Sequence, residues 1–223
     1  MSIEPQCAAA NSAKKVVFFD FGGVFTLSPF SAIGDMARDR GATPEQLMRI
    51  VFGDYGEDGD HPWHRLERGE ISLEDARLAI QENGRSEHGL PVDLYELFAA
   101  MPRDGGLRHE LVDRVAGIRE AGLQTAIITN NVKEFSEGWR SLLPVDELFD
   151  RVFDSCELGI RKPNAEIYRH ALEAMQVQPN EALFLDDFKA NVDSASSLGI
   201  DCIWVKEPLQ QCWQDLDQWV SRR

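Results

Sequence analysis

The chain is short of positive charge, of cysteine and of long apolar runs, and each shortage removes a class of function. Its 23 Lys and Arg face 38 Asp and Glu, for a formal net charge of -15 and a pI near 4.7. No basic stripe is left to displace counterions from a phosphate backbone, which argues against a nucleic-acid partner. An anionic substrate must instead be drawn in by a local cation, a metal ion or a single lysine, because the global field repels it. The four cysteines, Cys7, Cys156, Cys202 and Cys212, include no Cys-x-x-Cys pair. They are expected to be reduced thiols that fill the core of a cytoplasmic protein. No apolar run approaches the ~18 residues of a membrane span, and the segment before Lys14 lacks the apolar centre of a signal peptide. A soluble monomer or homodimer without a membrane partner is the expectation, and neither an internal repeat nor a low-complexity tract suggests otherwise.

What is present is a series of short buried-strand runs. Val16-Val17-Phe18-Phe19 ends abruptly in Asp20, followed by Phe21-Gly22-Gly23-Val24. Similar runs are Thr125 to Thr129, Arg151 to Asp154, Ala182 to Asp187 and Asp201 to Val205, with the length and β-branched content that parallel sheets use. Most end in a polar residue. In an open α/β sheet, ligands bind outside the carboxyl ends of the strands, so Asp20, Thr129, Asp186 and Asp187 are expected to converge although far apart in sequence.

Between the first and second runs the periodicity is helical. Thr43-Pro44-Glu45-Gln46 reads as an N-cap, a first-position proline and an acidic first turn, and Ser72-Leu73-Glu74-Asp75 repeats the signal. Further helices are expected from about Val92 to Ala100, and from Leu107 through Ile118 to a stop at Gly122. From Gln124 onward strand and helix alternate at short intervals, the pattern of βαβ units. The predicted fold is α/β: a Rossmann-like parallel sheet with helices on both faces, formed by residues 14–27 and 104–223, and a small all-helical cap, residues 28–103, inserted after the first strand. Such an insert lies over the crevice, where it can exclude water and read the substrate. His61, Trp63, His64 and Arg65 in it read as partly buried packing residues, the acidic loop from Asp54 to Asp60 as a solvated turn, and Trp213 to Val220 as an amphipathic docking helix.

Four separated pieces carry the chemistry: Asp20 in Phe-Phe-Asp-Phe-Gly-Gly-Val, Thr129 in Ile-Ile-Thr-Asn-Asn, Lys162 in Gly-Ile-Arg-Lys-Pro, and Asp186-Asp187 with Asn191 in Phe-Leu-Asp-Asp-Phe-Lys-Ala-Asn. Each has a bland counterpart: a loop acid, β-propensity at a strand end, a surface lysine, a solvated acidic pair. Together and in this order, from Lys14 to about Val205, they resemble the haloacid dehalogenase superfamily with a helical cap. Gly22 and the phrase Leu66-Glu67-Arg68-Gly69-Glu70-Ile71-Ser72 resemble a narrower group that includes bacterial glucose-1-phosphatase-like enzymes and the N-terminal phosphatase domain of soluble epoxide hydrolase.

The resemblance implies a hydrolase of small phosphomonoesters, such as sugar phosphates, that forms an aspartyl-phosphate on Asp20. Two anions do not approach each other unaided, so Mg²⁺ is expected on Asp20, the Gly22 carbonyl and Asp187, with Asp186 holding a metal-bound water. Lys162 would neutralise phosphate and nucleophile, Thr129 and the Asn130 amide would hydrogen-bond a phosphoryl oxygen, and Asn191 would orient the acidic pair. One position departs from the pattern. Most phosphatases of this superfamily carry a second aspartate two residues after the nucleophile, where this chain has Gly22, and a water or His64 is the candidate for the displaced proton. Two alternatives remain: a metal-independent haloacid dehalogenase, and a weak or non-catalytic phosphometabolite-binding protein.

Overall fold

Five strands, β1 (Val16–Phe19), β2 (Gln124–Thr129), β3 (Arg151–Asp154), β4 (Ala182–Asp186) and β5 (Asp201–Trp204), form one sheet in the order β3-β2-β1-β4-β5. All four pairings are parallel, with Phe19 opposite Ile127 on one side and Leu185 on the other. The computed structural model describes residues 13–101 and 106–222. The expectations for Cys7 and for a boundary at 103/104 fall outside those residues.

Both faces of the sheet are buried, which explains why its central strands read as continuous apolar runs. Val17, Phe19, Ile127, Leu183 and Leu185 face one cluster, while Val16, Phe18, Ala126, Ile128 and Phe184 face another. Helices cover both faces, as expected. Counting α1 (Ile33–Asp39), α2 (Pro44–Phe52), α3 (Pro62–Glu67), α4 (Leu73–His88) and α5 (Leu94–Ala100) in the insert, the sheet layer adds α6 (His109–Glu120), α7 (Ser136–Arg140), α8 (Val145–Leu148), α9 (Ser155–Leu158), α10 (Ala165–Met175), α11 (Lys189–Ser197) and α12 (Leu209–Ser221). The first cluster receives Leu111, Val115 and Ile118 of α6 and Cys212, Trp213, Leu216 and Trp219 of α12. The second receives Ile167, Tyr168 and Ala171 of α10 and Ala195 of α11. The C-terminal helix therefore docks on the sheet through one apolar stripe. Cys212 is buried in that stripe, whereas Cys156 and Cys202 are only half-buried, and all three are free thiols.

Thr43 caps α2 with a reciprocal capping box to Gln46, and Ser72 caps α4 by accepting from the Asp75 amide. The helix expected from Val92 begins at Leu94, because Asp93 takes the N-cap role and accepts from the Tyr95 amide. The one expected from Leu107 begins at His109. Two short insert helices, α1 and α3, have no counterpart in the sequence reading; at 7 and 6 residues they are too short for periodicity to declare. The insert packs around its own apolar cluster, which includes Met36, Leu47, Ile50, Phe52, Trp63, Leu66, Ile80 and Leu97 and reaches the sheet layer through Val132. Among the described residues no helix is long and apolar enough to cross a membrane.

Candidate active site

The chain order β1, β2, β3, then back across β1 to β4 and β5, places the reversal of strand order between β1 and β4. That is the position at which open α/β sheets form a crevice beyond their strand ends. Asp20 follows β1, Thr129 ends β2, Asp154 ends β3, and Asp186 ends β4. The Asp20 amide donates to the Leu185 carbonyl at 2.8 Å, so the sheet ladder itself fixes the start of the loop that carries Asp20.

Asp20, Asp186 and Asp187 each offer a carboxylate oxygen within 4.8 Å of the other two. Lys162, only 1% exposed, stands between two of them, with its Nζ 2.8 Å from Asp20 Oδ1 and 2.7 Å from Asp186 Oδ2. Lys162 is therefore not the surface lysine of the bland alternative. Asn191 Nδ2 donates to both oxygens of Asp186 at 3.1 Å, and the Phe188 amide donates to its Oδ1 at 2.7 Å. The Phe21 amide donates to Asp20 Oδ1 at 2.7 Å.

Charge in this cluster does not balance. Burial, with the charges of Asp186 and Asp187 added, pushes Asp20 up to about 8 although Lys162 pulls the other way. Burial and the charge of Asp186 push Asp187 up to about 6. Burial also works against the Lys162 ammonium, but Asp186 and Asp20 outweigh it and hold the lysine above its ordinary value. Three carboxylates around one ammonium call for another positive charge, and an all-oxygen donor set of this kind suits a hard divalent cation.

The glycine pair after Asp20 divides the local demands. Gly22 lines the small charged slot beside Asp20. Gly23 has φ of 79°, and a Cβ built on it would stand 2.0 Å from Asp187 Oδ2. Glycine is required at Gly23 by the backbone and by the close approach of that carboxylate.

Two connected spaces open above the strand ends. A slot of about 40 Å³ is lined by Asp20, Gly22, Asn130, Lys162, Asp187 and Asn191 on the sheet side and by Phe30, Tyr55 and Phe188 above. A larger cavity of about 410 Å³ shares Gly22, Phe30, Tyr55 and Asn130 with the slot and extends between the sheet layer and the insert. Thr129, 3% exposed, lines this cavity. Asn130 is locked across the Lys162 backbone, Nδ2 donating to its carbonyl at 3.0 Å and Oδ1 accepting its amide at 2.8 Å.

The residues that sequence reasoning missed are those that tie the insert to the sheet layer. Arg161, fully buried, donates from Nε to Glu67 Oε2 at 2.8 Å and places its guanidinium 4.7 Å from the Tyr55 ring centre. Tyr55 OH and Trp63 Nε1 each donate to Glu67 Oε1 at 2.8 Å. The loop from Asp54 to Asp60, expected to be solvated, thus sends Tyr55 inward. The only sequence signals were the arginine directly before Lys162 and the acid in Leu66-Glu67-Arg68. Arg108 donates to the Gly23 and Val24 carbonyls and steadies the loop after Asp20 from the far side of the insert.

His64 fails as a proton donor. Its Nδ1 accepts from the Gly59 amide at 3.0 Å, so the Nε2–H must be the group that donates to the Phe52 carbonyl at 2.8 Å. Burial, then the charges of Arg161 and His61, lower it to about 4. It is a neutral packing histidine, as the packing reading of this cluster expected.

Residues 14–199 match the family model for haloacid dehalogenase-like hydrolases. Acyl-CoA dehydrogenase family member 10 of Mus musculus is 35% identical over 87% of this chain, and bifunctional epoxide hydrolase 2 of Rattus norvegicus is 26% identical over 87%. The chain spans only 18% and 37% of the lengths of those two proteins. The sesquiterpene phosphatase astK of Aspergillus oryzae is 26% identical, with 90% of this chain and 94% of that protein covered. A haloacid dehalogenase family enzyme of Bacteroides thetaiotaomicron, solved with magnesium and inorganic phosphate, superposes with a TM-score of 0.60 at 20% identity, covering 88% of this chain and 96% of its own.

Proposed function

Because the chain belongs to the haloacid dehalogenase-like hydrolases, we propose that it is a Mg²⁺-dependent phosphatase of small phosphomonoesters with Asp20 as nucleophile. The observation that carries this reading is the meeting of Asp20, Asp186 and Asp187 around Lys162. A relative of nearly the same length that is named a phosphatase supports the reaction class.

In this reading Asp20, Asp187 and the Gly22 carbonyl would hold Mg²⁺, with Asp186 beside them in the same cluster. Bound there, the ion would neutralise the phosphoryl oxygens so that a carboxylate can approach them. Lys162 offsets the charge of Asp20 and of the phosphate, while Asn191 and the Phe188 amide hold the Asp186 carboxylate in place. Thr129 and the Asn130 amide hydrogen-bond the phosphoryl group. A carboxylate oxygen of Asp20 bonds to phosphorus as the bond from phosphorus to the alcohol oxygen breaks, and the electron pair leaves on that oxygen. Water then attacks the same phosphorus, releasing phosphate and restoring the Asp20 carboxylate. With Gly22 in place of an acid and His64 committed elsewhere, the alcohol takes its proton from water. The insert, residues 28–103, is the cap that shields these steps from solvent.

Attack of Asp20 on a carbon–halogen bond needs no second or third carboxylate, so the acidic cluster favours the phosphatase over the dehalogenase reading. Phosphate release from p-nitrophenyl phosphate, measured with Mg²⁺ and then with EDTA, tests it. The reading requires release that EDTA abolishes and Mg²⁺ restores. Full release in EDTA removes the metal, and no release with Mg²⁺ leaves only a binding protein.

A further inference from the structure

We infer that the slot and the cavity together take the monophosphate of a hydrocarbon alcohol, with the phosphate in the charged slot and the chain in the cavity. This rests on the reading of the slot as a phosphate site. The cavity of about 410 Å³ lies within the range of small-molecule sites, and its walls are aromatic from both sides. Phe30, Phe52 and Phe98 come from the insert, and Phe21, Phe135 and Trp139 from the sheet layer. They brace one another: Phe30 and Phe52 lie 4.8 Å apart, Phe21 and Trp139 4.6 Å, and Phe98 and Phe135 4.9 Å across the two layers, all between ring centres. Leu27 and Phe135, both lining the cavity, are also exposed. That exposure marks an apolar edge where the space meets solvent.

Most polar groups in the wall are already spent on protein partners. Thr26 Oγ1 donates to the Leu27 carbonyl, and Tyr55 OH donates to Glu67. Both protons of Asn130 Nδ2 go to the Lys162 carbonyl and Tyr55 OH, and both of Asn131 Nδ2 to Ser136 and Asp154. Glu67 accepts from Tyr55, Trp63 and Arg161. The Thr129 hydroxyl also lines this cavity and not the slot. The Trp139 indole N–H is buried without a partner, but a single donor cannot satisfy the several hydroxyls of a sugar, which would lose water here and are selected against. Methylene groups lose nothing and gain the aromatic wall.

The test compares ethyl, hexyl and decyl phosphates, kept monomeric in solution, with glucose 6-phosphate and glycerol phosphate, all with Mg²⁺, using p-nitrophenyl phosphate to verify hydrolysis. The expected kcat/KM rises about two- to fourfold per methylene until the cavity is filled, so that decyl phosphate exceeds the sugar phosphate by at least about a hundredfold. A flat chain-length series, or a sugar phosphate cleaved as well as decyl phosphate, overturns the inference. Calorimetry of ethyl- and decylphosphonate on the Asp20→Asn protein with Mg²⁺ separates the two layers of the argument. Tighter binding of the longer chain without hydrolysis of any ester supports the ligand class while the phosphatase reading falls. Equal binding of both chains, or none, overturns the ligand class. Phe135→Asp places a charge at the exposed edge with little risk to folding. It should reduce the decyl-to-ethyl ratio at least about tenfold; an unchanged ratio means that the chain does not pass that edge.

Discussion

The strand ends bring charge to the candidate site, whereas the insert brings almost only aromatic surface, and the sheet layer adds to that surface. On the sheet side, Asp20 is 8% exposed, Lys162 1% and Asp186 0%, and every one of these charges is held by a strand end or by a side chain rooted near one. On the insert side, Phe30, Phe52, Tyr55, Trp63 and Phe98 form an aromatic surface in which the buried acid Glu67 is neutralised by Arg161. Charges that must meet within a few ångströms are rooted at or near strand ends, and half of the aromatic wall beside them sits on a separate helical unit with its own core. The reaction and the choice of substrate can therefore vary independently, which is how one fold supports many sites.

The largest effect that would break this division is loss of the nucleophile. Asp20→Asn keeps the shape of the side chain and removes the covalent step, so kcat should fall by at least about 10³-fold while the phosphonate still binds. A near-normal kcat would place the chemistry elsewhere. Arg161→Met acts next, on the tie between the regions. It leaves Glu67 buried without its cation, which typically costs about 3–5 kcal/mol when a buried pair is broken from one side. Urea denaturation should show that loss, and the Arg161→Met/Glu67→Leu double variant should recover much of it; a single variant as stable as wild type would show that the pair does not join the two units. The smallest effect lies inside the insert, far from the slot. Thr43→Ala removes a capping box and should lower stability by about 1 kcal/mol with kcat unchanged, and a change in kcat would show that the insert and the chemistry are not separable.

Legibility in the sequence followed the same division. Asp20, Asp186 and Asp187 could be picked out because a buried strand that ends in a charge is unusual, whereas Lys162, which lies between α9 and α10 and at no strand end, was marked only by its place among four motifs in order. The sheet was readable for the same reason, since strands buried on both faces leave short uninterrupted apolar runs. The insert was readable where a cap announces a helix, at Thr43 and Ser72, and opaque elsewhere. α1 and α3 are too short to show a period, and the inward turn of Tyr55 depends on Arg161, more than a hundred positions away. His64 showed the limit of residue type as a guide: the sequence read it as packing yet left it open as a proton donor, and its two hydrogen bonds, from the Gly59 amide and to the Phe52 carbonyl, decide for packing.

The claim on which the rest depends is that the acids around Lys162 are built to share a cation, and its most direct test is the thermal midpoint with and without Mg²⁺ at pH 5 and at pH 8. Folding raises Asp20 from 3.8 to about 8 and Asp187 from 3.8 to about 6. Between the unfolded and folded values the unfolded chain has already released protons that the folded chain keeps, so metal-free stability from this cluster falls as pH rises through that window. A cation that binds only the folded, ionised cluster offsets this loss and competes with protons below it. Mg²⁺ should raise the midpoint clearly more at pH 8 than at pH 5; no rise at pH 8, or the same rise at both, would mean that these acids do not share a cation.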